Sequence, residues 1–323
     1  MFENKKILVT GGSGMVGRAL TSKLLELKAQ VTIVDLNKPK NLENNVTFIS
    51  SDLRYLNNCE DVCKGQDYIF NIIGIKGSPK VSAEQPADFL VPMLQFNTNM
   101  MDAARRANVK WYLYTSSVGV YHPAEIFYED DVWKTFPSDK DKFPGWAKRI
   151  GELQAEAYSI QYGWDQCSIV RPANIYGKYD NFNPFNCQVL PSLIRKAQEN
   201  DILEVWGDGS QVRDFIFADD VANAMIQCVE KQVTEPINIG SGKGHTIKEL
   251  VEIIISHSGK NLEVRWQTDK VNGDSIRIMS TDRAKKYGIQ PTISLDDGVK
   301  IVTNWFKENK ESLDRHYNVF QNH

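Results

Sequence analysis

Residues 5–17 read KKILVTGGSGMVG, and Gly11, Gly14 and Gly17 recur at every third position directly after a short apolar run. A strand over 7–10 that enters such a turn leaves the first amides of the next helix pointing outward, where the helix dipole also favours an anion. Glycine suits the turn because a side chain would hold a pyrophosphate off the backbone, or block close packing of helix on strand. Ser13, Met15 and Val16 complete the same turn. A second strand over 30–34 ends in Asp35. That acid lies about twenty residues past the turn, where a dinucleotide fold carries its ribose-binding carboxylate. The chemistry indicated is dinucleotide binding; the alternative is an ordinary turn followed by a surface acid.

Composition excludes several other classes. With 323 residues the chain can bury a substantial core, in one large domain or two unequal ones. A net charge of −3 offers no basic excess for nucleic acid or for an acidic membrane surface. No run reaches the roughly 18 apolar residues of a membrane span. The first strand starts so early that no signal peptide fits before it, which points to the cytoplasm. Five cysteines (Cys59, Cys63, Cys167, Cys187, Cys228) are scattered; Cys59 and Cys63 can share a helix face, but no Cys/His set completes a metal site. The expectation is a reduced protein without a metal.

The elements that must position the glycine turn alternate along the first half. A helix containing 20–27 follows the turn, and strands fall at 46–49, 68–73, 111–115 and 166–170, with helices around 94–107 and 145–162. Such alternation implies an α/β fold, a doubly wound parallel sheet with helices on both faces. Beyond about residue 175 the texture changes. Residues 174–191 read as loop, dense in Asn, Asp and Pro, and are followed by a helix at 192–198 and strands at 203–206 and 213–217. Then come a helix at 219–229, a strand at 236–239, a helix at 247–256, a strand at 262–266 and a closing helix at 295–309. Residues 1–175, with contributions from about 213–240, are expected to bind the dinucleotide. Residues 176–323 are expected to form a smaller α/β lobe over the carboxyl ends of the strands, where open α/β sheets bind ligands.

Taken together, TGGSGMVG (10–17), Asp35, Asp52-Leu53, FNTNMMDAARRANVKWYLYTSSVGVY (96–121) and AKRIGELQAEAY (147–158) resemble the extended short-chain dehydrogenase/reductases that modify nucleotide sugars. VRPANIYG (170–177), VWGDGSQVRDFIFADDVANAM (205–225) and NIGSGKGHTIKEL (238–250) extend the likeness over nearly the whole chain. YDNFNPFNCQVLPSLIRKA (179–197) is similar to the substrate loop of GDP-fucose synthases and their relatives, which favours a GDP-sugar. The resemblance implies a Rossmann-type sheet, an NAD cofactor and a homodimer formed through the 94–107 and 145–162 helices. It makes Gly11, Gly14 and Gly17 the pyrophosphate loop and Asp35 the ribose ligand, whose charge repels a 2′-phosphate. Lys38 and Lys40 lie close by. Asp52 and Leu53 would flank the adenine, and Ile73, Gly74, Thr115, Lys148, Arg171 and Asn174 would follow the cofactor toward the nicotinamide. On the substrate side, Ser117, Asn174, Val189, Lys196, Trp206 and Arg213 would line the cleft, with Arg213 on the diphosphate. Read without the resemblance, Trp206 is equally a core residue, Arg213 half of a surface ion pair with Asp214 or Asp219, and Asp35 a turn residue.

The family takes the sugar hydroxyl proton with a Ser/Thr and a Tyr-x-x-x-Lys on one helix, where the lysine lowers the tyrosine pKa. Ser117 and Lys148 match, but the tyrosine position is Pro144. Val118 and Gly119 stand where 4,6-dehydratases carry Asp-Glu, and Gly119 and Gln188 stand where GDP-fucose synthases carry Cys and His. The reaction least dependent on the missing groups is NAD-dependent oxidation of one hydroxyl, at C4, of a GDP-mannose-like or GDP-manno-heptose-like sugar for polysaccharide assembly. Tyr121 and Tyr176 are the tyrosines from elsewhere that could take the proton, and Ser117 to water is the other route. Two alternatives stand beside this reading: a 4-epimerase that keeps its NAD, and a non-catalytic NAD-binding sensor or scaffold.

Overall fold

The computed structural model describes residues 1–75, 79–269, 274–311 and 313, so the end of the expected second lobe, 314–323, lies outside the described residues. The first half runs β1 (Lys6–Thr10), α1 (Met15–Glu26), β2 (Gln30–Asp35), β3 (Thr47–Ser50), α2 (Leu56–Cys63) and β4 (Tyr68–Asn71). It continues through α3 (Pro79–Glu84), α4 (Pro86–Arg106), β5 (Trp111–Thr115), α5 (Lys142–Tyr162) and β6 (Cys167–Pro172). Next are β7 (Asn174–Tyr176), α6 (Val189–Glu199), β8 (Ile202–Trp206), β9 (Val212–Arg213), β10 (Phe215–Phe217), α7 (Ala218–Glu230) and β11 (Ile237–Ile239). Last are β12 (His245–Thr246), α8 (Ile247–Ser258), β13 (Glu263–Gln267), β14 (Ile276–Arg277), α9 (Asp282–Lys286) and α10 (Leu295–Asn309).

Among the described residues a seven-stranded sheet has the order β11-β6-β5-β4-β1-β2-β3, with every neighbouring pair parallel. Alternation along the strands supplies two buried faces. Ile7 and Val9 of β1 pack with Leu20 and Leu24 of α1 and with Val221 and Met225 of α7. Leu8, between them, packs on the opposite face with Cys59 of α2 and Met93 and Met100 of α4. Cys59 and Cys63 do share a helix face, both fully buried in that layer, and all five cysteines are free thiols. A separate core forms from α6, α8 and α10 around Leu193, Leu203, Ile254, Val302 and Phe306. No helix among the described residues is long and apolar enough to cross a membrane.

Two expected strands end differently. The one expected over 68–73 stops at Asn71, because the amides of Ile72 and Ile73 donate to the Thr10 hydroxyl instead of a ladder, at 3.1 and 3.2 Å. The one expected over 213–217 is two strands broken at Asp214. The Asp214 carboxylate is fully buried and accepts from the Ser241 amide (2.8 Å) and hydroxyl (2.6 Å), the Gly242 amide (3.0 Å) and the Met279 amide (3.3 Å). A buried carboxylate needs such donors, and meeting them turns the chain. The stretch expected as loop over 174–191 holds β7 and the first turn of α6.

Candidate active site

The sheet order reverses direction between β1 and β4, so the carboxyl ends of these strands open a crevice. Thr10 closes its floor by donating to the Asn71 side chain at 2.6 Å while accepting from Ile72 and Ile73. A cleft of about 1020 Å³ opens above it, lined by the glycine turn, the ends of β2 and β4, the Ser117 turn, the start of α5 and the 174–191 segment.

Gly11 takes φ +68°, a left-handed conformation that turns the chain from β1 into the loop. Gly17 serves packing: a Cβ there would lie 2.5 Å from the Gly11 carbonyl oxygen. Gly14 is the N-cap of α1 and no side chain caps that helix, so its first turn faces the cleft through backbone. Ser13, Gly14, Met15, Val16 and Gly17 all line the cleft beneath this helix end, which is an anion site in both geometry and dipole.

Asp35 ends β2 and faces the same cleft. Its carboxylate accepts from the Ser13 amide (3.2 Å) and the Leu36 amide (2.8 Å), which locks the glycine turn to the second strand. Burial raises its pKa above the ordinary 3.8, against the pull of those hydrogen bonds. Asp52 is paired with Arg54 (2.7 Å), whose hydrogen bonds hold the carboxyl below its ordinary value. Asp52, Leu53, Arg54, Ile73 and Gly74 line the cleft, as do Lys38 and Lys40 beside Asp35. A helix end that meets the cleft through backbone and an acid at the end of β2 fit a dinucleotide.

Ser117 and Lys148 share the far wall with Thr115 and Asn174. The Ser117 hydroxyl accepts from the Gly119 amide at 3.0 Å, which fixes the 3-10 turn Val118–Val120 after β5. Lys148 Nζ donates to the Thr115 carbonyl at 2.8 Å and reaches the Ile73 carbonyl at 3.5 Å. Burial lowers its pKa from 10.5 to about 7, although Glu152 pulls upward. Pro144 lines the cleft in the first turn of α5, where a missing N–H breaks no helical hydrogen bond.

Neither alternative tyrosine presents a hydroxyl here. Tyr121 is 3% exposed and outside the cleft lining; its hydroxyl donates to Asn238 (2.5 Å) and accepts from Arg171 (3.1 Å), and burial raises its pKa. Tyr176 reaches the cleft wall, but its hydroxyl points to the Ser294 carbonyl (3.4 Å) and the start of α10. The expectation that one of them takes the proton is corrected on this geometry.

Several expected ligand residues lie elsewhere. Arg171 is buried behind the cleft, in an ion pair with Glu152. Trp206 is 55% exposed at the end of β8 and does not line the cleft. Lys196 donates to the Glu204 carbonyl (2.9 Å), which turns its ammonium toward β8. Arg213 donates to the Val212 carbonyl (2.8 Å), and burial lowers its pKa to about 10. None of these four lines the cleft, whereas Val189 does, at the start of α6. Arg277, which the motifs did not single out, does so too; it lies beside Arg213 in the β9–β14 register and pairs with Asp141 (2.6 Å) and Asp274 (2.5 Å). Its only sequence signal was an arginine following an apolar residue near the chain end. Gln188 lines the cleft and Cys187 does not.

Fold and cleft together define a dinucleotide-dependent α/β enzyme. Residues 7–240 match the model of the NAD dependent epimerase/dehydratase family, and the chain belongs to that family. GDP-L-fucose synthase 1 of Arabidopsis thaliana is 30% identical over 322 residues, covering 95% of this chain and 94% of the relative. GDP-mannose 3,5-epimerase 1 of Oryza sativa subsp. japonica is 28% identical, covering 96% of this chain and 83% of the relative. Among solved structures, an epimerase from Methanothermobacter thermautotrophicus superposes with a TM-score of 0.84 at 25% identity, covering 97% of this chain and 95% of that one.

Proposed function

We propose that this protein is an NAD-dependent dehydrogenase that oxidises one hydroxyl of a GDP-sugar to a ketone, at C4 of a mannose-like or manno-heptose-like sugar. The observation that carries this reading is the single cleft that joins the glycine turn and Asp35 to Ser117 and Lys148. The relatives named for GDP-fucose synthesis and GDP-mannose epimerisation support a GDP-sugar as substrate. Asp35 supports NAD, because a carboxylate at the end of β2 in this cleft would repel a 2′-phosphate; Lys38 and Lys40, which line the same cleft, pull the other way.

A bound nicotinamide supplies the hydride acceptor for such an oxidation. The α1 amides and Asp35 would hold the dinucleotide, and Lys148 would hold its ribose near Thr115. Ser117 would donate to or accept from the sugar oxygen. The 1–175 and 176–323 division is proposed on the same basis: one part carries the dinucleotide and the other covers it. A homodimer through α4 and α5 is supported by Val91 (48% exposed), Leu153 (45%) and Ile160 (80%) on their outer faces.

Incubation with NAD and a panel of GDP-sugars should give NADH absorbance and a ketone two hydrogens lighter by mass. No reduction with any of them defeats the reading. A net epimer without NADH release selects the 4-epimerase that retains its cofactor.

A further inference from the structure

We propose that Asp141 accepts the proton of the sugar hydroxyl, in the place of the phenol that Pro144 excludes. The inference rests on the dehydrogenase reading above. Asp141 is the N-cap of α5, three residues before Pro144 and seven before Lys148. All three line the cleft, so a carboxylate stands at the entry to the helix that would carry a tyrosine at 144.

The Asp141 side chain lies near the catalytic hydroxyl. A Cβ added at Gly119 would lie 3.5 Å from Ser117 Oγ, 3.5 Å from Asp141 Cβ and 3.6 Å from Asp141 Cγ. Ser117 Oγ and the Asp141 side chain therefore both lie next to Gly119, in the lining of one cleft. The position is held firmly. The Asp141 amide donates to the Ser138 carbonyl at 3.0 Å, and the buried Ser138 hydroxyl donates to Asp274 at 3.2 Å. Arg277, itself fixed by Asp274, places its guanidinium 2.6 Å from the Asp141 carboxylate. This pairing orients one carboxylate while leaving it against the cleft.

The step balances with a nicotinamide dinucleotide as oxidant. The hydroxyl O–H bond breaks and its proton passes to an Asp141 oxygen. The O–H electron pair becomes the second carbon–oxygen bond, while the C–H pair leaves as hydride, so the carbon is oxidised and the nicotinamide reduced. Ser117 hydrogen-bonds the oxygen throughout.

The test uses Asp141→Asn and Asp141→Ser beside the wild type, with the GDP-sugar that the wild type oxidises. Expected are a fall in turnover of at least about 100-fold in both, with NADH fluorescence titration and GDP calorimetry unchanged within about twofold. In cofactor-free protein, GDP-mannose should bind more tightly than GDP to the wild type, and Asp141→Ser should erase that difference. A folded variant that keeps turnover within about tenfold of wild type overturns the proposal while leaving the dehydrogenase reading intact. Loss of GDP and NADH binding in step with turnover gives Asp141 a structural role and also overturns it. A wild type that oxidises no GDP-sugar removes the dehydrogenase reading, and the Asp141 role falls with it.

Discussion

Arg171 grips Glu152 in a fully buried bidentate ion pair, with Nε–Oε1 at 2.9 Å and the second nitrogen–oxygen contact at 2.6 Å. The pair bolts β6 to α5 behind the cleft and occupies the carboxylate one turn beyond Lys148. Ser116 adds a 2.5 Å hydrogen bond to the same carboxylate. The Lys148 ammonium instead donates to the carbonyls of Thr115 and Ile73.

Breaking that pair from one side should be severe. Arg171→Met strands a buried carboxylate, and about 3–5 kcal/mol of stability should be lost. Urea unfolding measures it; a loss below about 1 kcal/mol would contradict the burial of the pair. The double variant Arg171→Met with Glu152→Leu should recover much of the difference, because no charge is left unpaired.

Lys148 gives a pH signature. Its pKa in the folded protein, about 7, lies below the ordinary 10.5, so between these values the unfolded chain binds a proton that the folded chain does not. Stability contributed through this group therefore rises with pH across that window and is lowest below it. Lys148→Met should flatten the rise, as read from melting curves collected from neutral to alkaline pH. Parallel curves for the two proteins would show that the buried ammonium keeps its proton.

Gly17→Val should cripple cofactor binding without touching Asp35. The added side chain would drive into the Gly11 carbonyl and the Gly12 backbone. NADH affinity should fall by more than about tenfold, equivalent to about 1.4 kcal/mol or more. Fluorescence titration reads it directly.

Asp35→Ser should shift cofactor choice toward NADP. The substitution removes the carboxylate beside Lys38 and Lys40, both at the same rim of the cleft. The ratio of NAD to NADP affinity should drop by about tenfold or more, by direct titration of both reduced forms. An unchanged ratio would leave Asp35 as a turn residue that only anchors Ser13.

Tyr121→Phe separates a buried phenol from a catalytic one. Its hydroxyl joins Asn238 and Arg171 away from the cleft, so the change should lower stability by about 1–3 kcal/mol. Turnover at a permissive temperature should stay within about twofold.

The glycine turn, Asp35 and the strand that ends at Thr115 were legible because each is a local pattern: a Gly spacing, an acid closing a strand, a short apolar run buried along its length. The sheet could be read from the same alternation. The 213–217 segment misread as one strand shows where this stops, since the break at Asp214 is set by donors at 241, 242 and 279. Trp206 shows the same limit: its motif position gave no information on which way a strand-end side chain faces, and it faces out.

The sequence by itself determined a dinucleotide-binding α/β chain, because glycine spacing and the strand and helix patterns are local; Ser117, Lys148 and the absence of a phenol at 144 were read from its resemblance to the nucleotide-sugar enzymes. Tertiary structure alone decided what surrounds them. Glu152 is taken by Arg171 from nineteen residues away, and Asp141 meets Arg277 from 136 residues further along the chain. Charge partners chosen by folding, through space and against the cost of burial, lie beyond any local spacing.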